Sequence, residues 1–96
     1  MMVGSAYAQQ SETVMPNTPE AASTIQQLKN AEYADRGNSH SWTDDNPGLD
    51  HFYATKAREA DRLVKQLEGG QAVSSSDVEK ALDTSHAAGY GVPPTY

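Results

Sequence analysis

The chain has 96 residues, a formal net charge of −6 and no cysteine. That size allows one small domain, and the absence of cysteine excludes disulfides, thiolate metal sites and a cysteine nucleophile. The acidic balance argues against binding to nucleic acid or to an anionic membrane, because both require clustered Lys and Arg against phosphate.

The large aliphatic residues are sparse: one Ile, five Leu, six Val and one Phe. Their share lies below the roughly one fifth usual for globular domains. Helices joined by mobile segments are therefore expected, with a shallow core. No stretch approaches the roughly 20 apolar residues of a membrane-spanning helix.

In chain order, residues 1–17 read as a flexible leader. Ala6-Tyr7-Ala8 followed by Gln9 has the small-x-small form of a signal-peptidase site, with cleavage after Ala8. The basic and apolar regions of a complete export signal are missing, so this reads as the remnant of one. It points to a periplasmic or secreted protein, with the cytoplasm as the alternative. Thr18-Pro19-Glu20 is a helix start: a cap, a proline at the first helical position and an acid in the first turn. The helix that follows, about 19–35, carries Ala21, Ala22, Ile25, Leu28 and Ala31 at spacings of three and four. It is a weak helix with two large anchors, expected to end before Gly37.

Residues 38–48 are loop-like in composition and hold Trp42, the one tryptophan, which is expected to fold back onto a neighbouring helix. Asp45 or Asn46 then caps the main helix, about 47–68, with Pro47 in its first turn. Leu49, Phe52, Tyr53, Ala57, Ala60, Leu63, Val64 and Leu67 fall in one broad sector of it. Lys56 lies inside that sector. Its stem can pack while its ammonium reaches water, or it can pair with Glu79 or Asp83. Asp61 and Lys65 have the favourable spacing for an ion pair along the helix. Gly69-Gly70 ends the rod. Ser76-Asp77-Val78-Glu79 has the capping-box pattern and opens a helix of about 76–88. Residues 90–96, with Pro93-Pro94, form an extended tail.

The fold class is thus all-α. A small helical hairpin (about 47–68 and 76–88) is joined by a weaker third helix in one domain over 18–89. The main helix has a wider apolar face than the helix after it, so the first helix or another protein must cover the remainder.

Four candidates for chemistry arise. His40, Asp44, Asp50 and His51 could form a divalent metal site, but their spacing matches no strong template, and acids in such a loop usually cap the next helix. Ser41, Asp50 and His51 resemble a hydrolytic triad by type only, since adjacent helical residues diverge and no nucleophile elbow is present. Arg58, Arg62 and Lys65 form a basic strip interrupted by Glu59, Asp61 and Glu68, which suits a solvated face. The apolar stripe itself suits a partner. No cofactor motif is present, and the Gly-Gly pair is no phosphate loop. The resulting expectation is a non-catalytic, exported accessory or interaction module. It would bind a protein, or itself, through Trp42, Phe52, Tyr53, Leu63, Val64 and Leu67. The alternative is a metal-binding protein using the loop 40–51.

Overall fold

A computed structural model describes residues 12–90, with side chains through residue 87. Two long helices, α1 (Pro19–Ser41) and α2 (Pro47–Glu68), form a hairpin. A short helix α3 (Ser75–Leu82) packs on both, and a 3-10 segment follows over Ser85–Tyr90. Two two-residue strands, β1 (Thr13–Val14) and β2 (Val73–Ser74), pair antiparallel. No helix among the described residues is long and apolar enough to cross a membrane.

The helix starts follow from local chemistry. Thr18 Oγ1 accepts the Ala21 N–H at 3.0 Å, and Asn46 Oδ1 accepts the Leu49 N–H at 3.1 Å. Each satisfies a donor that the first helical turn leaves without a partner. At the end of α2, Gly70 takes φ +88. The Gln71 N–H then reaches the Gln66 carbonyl at 2.8 Å and the Gly70 N–H reaches Leu67 at 3.1 Å, the paired bonds of a glycine-terminated helix.

Four expectations are corrected. The first helix does not stop before Gly37 but continues to Ser41. Gly37 keeps a helical backbone, and Ser39 Oγ donates to Asp50 Oδ1 of α2, which ties the last turn of α1 to its neighbour. The hairpin partner of α2 is consequently α1, which matches it in length (23 and 22 residues), and α3 is the weaker third helix. Helices of equal length cover each other along some 30 Å, whereas α3 spans two turns.

The third helix is Ser75–Leu82, not 76–88. Its capping oxygen is Ser74 Oγ, which accepts from the Ser76 and Asp77 amides at 3.1 and 3.4 Å. Asp83 ends it: Oδ1 accepts the Ser85 N–H at 2.9 Å, a local turn that competes with helical hydrogen bonding. Finally, the expected leader is not free throughout, since β1 lies within it and Val14 is 3% exposed. The cleavage motif at Ala8 and the tail beyond residue 90 lie outside the described residues.

The main core joins the three α-helices and both strands. Ala21 and Leu28 of α1 meet Ala60, Leu63, Val64 and Leu67 of α2, with Val14, Val73, Val78 and Ala81 closing the cluster. Leu49 and Ala57, also buried, lie toward the turn between α1 and α2 and outside that cluster. A Cβ added at Gly37 meets nothing among the described residues within 4 Å. Gly37→Ala is therefore expected to stabilise the protein by about 0.5–1 kcal/mol through helix propensity alone. Urea unfolding of the two proteins checks this, and a lower midpoint for the variant would contradict it.

Candidate functional site

The six residues expected to bind a partner do not share one surface. Leu63, Val64 and Leu67 are 1%, 4% and 2% exposed and belong to the core. The apolar stripe of α2 is thus consumed by α1, α3 and the strand pair, and these three residues are unavailable to another protein in this fold. Trp42, Phe52 and Tyr53 remain half-buried at the end of the hairpin that carries the turn. Trp42 caps the end of α1, its backbone N–H donating to the Ser39 carbonyl at 3.1 Å. The Phe52 and Tyr53 rings meet edge to face, with centroids 5.3 Å apart at 77°, a favoured aromatic geometry.

Lys56 is only 15% exposed along its side chain. Its ammonium donates to the Lys80 carbonyl of α3 at 2.7 Å, lies 3.7 Å from Glu59 Oε1 and stands 5.7 Å from the centre of the Phe52 ring. Lys80 belongs to the last turn of α3, where its carbonyl receives only a long, shared bond from the Asp83 backbone N–H at 3.3 Å, so a cation is well placed there. The acceptor is thus a backbone carbonyl of α3, with neither Glu79 nor Asp83 taking the bond. The Asp83 carboxyl is held below its ordinary value mainly by hydrogen bonds from Ser85, with smaller help from His86 and Lys56.

The candidate metal residues do not converge. His40, Asp44 and His51 are exposed, and Asp50 is half-buried with one oxygen bonded to Ser39. Among the described residues no three His, Asp or Glu side chains are grouped so as to hold a metal ion. The basic strip on α2 is partly neutralised from within, because Lys65 pairs with Asp61 at 3.1 Å. Lys29 and Glu68 pair across the hairpin at 3.1 Å, but both are about half exposed. Such a pair contributes little to stability.

Two residues at the turn end were not singled out from sequence. Tyr33 is 85% exposed, and with Ala34, Gly37, His40 and Ser41 it lines an open depression of about 610 Å³ on the outer face of α1. Asp35 lies on the opposite, inner face. It is 4% exposed, and its Oδ2 has no hydrogen-bond partner among the described residues. Burial pushes its carboxyl up from 3.8 to about 6, against the opposing pull of Lys56. The sequence does carry a signal for Asp35. It falls seven residues after Leu28, two helical turns further along the same stripe.

No family model, curated protein or solved structure matches this chain.

Proposed function

We propose that the protein is a small, non-catalytic, exported interaction module that docks a protein partner at the turn end of the α1–α2 hairpin. The observation that carries this reading is the accumulation of incompletely buried aromatic rings there. Tyr33 is 85% exposed, and Trp42, Phe52 and Tyr53 are half-buried. Aromatic side chains give large contact areas at low entropic cost and anchor many interfaces. Asp44 and Asp45 are exposed in the adjoining turn. With a chain charge of −6, they favour a partner whose apolar contact is rimmed by Lys and Arg.

The test compares wild type, Tyr33→Ala and Trp42→Ala as tagged bait in the source cells, with helicity followed by circular dichroism. A protein captured by wild type and lost from both folded variants is the expected result. Capture that is indifferent to both substitutions overturns the reading. A wild-type dimer that both variants dissociate assigns the face to a second copy of the chain. Export is tested separately by intact mass: a mature N-terminus at Gln9 is expected, and a chain retaining Met1 in the exported fraction counts against it.

A further inference from the structure

The seam between α1 and α2 changes character along its length. Away from the turn it is apolar, with Leu28 facing Leu63 and Leu67 in the common core. Toward the turn it is polar. Ser39 of α1 donates to Asp50 of α2, and one turn before Ser39 the Asp35 carboxyl lies buried. A buried carboxylate oxygen without a donor is among the costlier groups a fold can hold.

The charges around Asp35 do not remedy this. On α1 itself, Glu32 and Arg36 are paired with each other at 2.7 Å. On α2, Asp50 is engaged by Ser39, and Glu59 lies beside Lys56. Lys56 is the cation whose field reaches Asp35, yet its ammonium is bonded to the Lys80 carbonyl and poised over Phe52. Beyond α3, Asp83 is bonded to Ser85, and His86 is exposed and acts on Asp83. None of these groups donates to Asp35 Oδ2. A proton taken from solvent removes the charge and so the greater part of the desolvation cost.

We propose that Asp35 is a proton-operated latch on the turn-side half of the hairpin. As a carboxylic acid it stays seated in the seam. As a carboxylate it draws out toward water and Lys56, and residues 36–41 with the Trp42 turn loosen from α2. The main core, which lies at the other end, is left intact. The device belongs to the fold and does not depend on the partner proposed above.

Trp42 is a built-in reporter, being the one tryptophan and lying at the end of the affected segment. His40 is also ionisable and lies two residues from Trp42, so its effect must be separated from that of Asp35. The experiment follows the Asp35 carboxyl resonance, Trp42 emission and amide exchange over 36–41 from pH 4.5 to 8. It uses wild type, Asp35→Asn and His40→Gln. The Asp35 resonance is expected to titrate near pH 6. Exchange over 36–41, corrected for its intrinsic pH dependence, should accelerate about tenfold across that midpoint, and Trp42 emission should follow the same curve. Asp35→Asn should keep the low-pH signature throughout, and His40→Gln should behave as wild type. Titration of Asp35 at the ordinary carboxyl value of 3.8 would overturn the proposal. So would a Trp42 transition that survives Asp35→Asn. Should that variant fail to fold, the wild-type carboxyl titration still decides.

Discussion

Replacing Asp35 by asparagine is expected to raise the stability of the protein at pH 7 by about 2 kcal/mol. The carboxyl titrates at about 6 in the fold against 3.8 in the unfolded chain. At 1.36 kcal/mol for each pH unit, that difference corresponds to at most about 3 kcal/mol, and the buried amide of Asn retains some desolvation cost. The sign follows from the raised value. Between pH 4 and 6 the folded protein binds more protons than the unfolded chain, so wild-type stability falls as pH rises. The contribution is complete below 3.8 and is lost as pH passes through 6. Surface pairs such as Lys29–Glu68 are common to both proteins and cancel in the comparison. The difference between the two thermal-unfolding curves isolates Asp35. It should grow between pH 4 and 6 and level off above, with the midpoint displaced by roughly 10 °C at pH 7. Parallel curves across that range would refute the assignment.

Leu28→Ala is expected to be the most damaging single truncation, costing about 3 kcal/mol. Leu28 is 0% exposed and stands in the common core with Leu63 and Leu67. A domain of this length has on the order of 5–14 kcal/mol of stability in all, so the loss is a large fraction of it. Tyr33→Ala, on the outer face of the same helix, should change stability by no more than about 0.5 kcal/mol. Urea midpoints for the pair decide whether α1 is integral to the fold. A cost below about 1 kcal/mol for Leu28→Ala would show that α1 is an appendage.

That contrast bears on how much the sequence discloses. The bounds of α2 are legible because every cue agrees: a cap at Asn46, Pro47 in the first turn, an apolar sector of constant phase and a glycine pair at the end. The mismatch between the wide face of α2 and the narrow face of the last helix is legible too, and it is α1 that covers the remainder. The end of α1 is not legible. Gly37 reads as a terminator because glycine so often terminates helices, yet it does so only where the backbone turns left-handed. Here the contact between Ser39 and Asp50, on the far side of the turn, holds the helix on course. The start of α3 is ambiguous for a related reason. Ser74, Ser75 and Ser76 are equally good caps, and the pairing of Val73 and Ser74 with β1 selects the first.

Part of the proposed docking surface carries a signal in the sequence. Trp42, Phe52 and Tyr53 stand out by type and position, and they do lie at the turn end. Leu63, Val64 and Leu67 carry the same apolar signal, but a single sequence does not distinguish a stripe that faces a partner from one that faces the chain's own first helix. Asp35 escapes notice because an acid at a stripe position is read as the edge of the stripe. Tyr33 escapes because an exposed tyrosine has no periodic signature at all.

The strand pair has a consequence for the order of folding. Val14 lies against Val73, so about 60 residues intervene between the two partners of that contact. The turn between α1 and α2, by comparison, brings Ser39 and Asp50 together across 11 positions. Short loops close more cheaply and more quickly than long ones. The hairpin can therefore zip from its turn while the strands are still apart, and during synthesis β1 must wait for nearly the whole domain to emerge. The two-residue clasp is then a closing event. Its pairing is therefore expected to follow closure of the hairpin that α1 and α2 make, which puts the fastening of β1 late in folding.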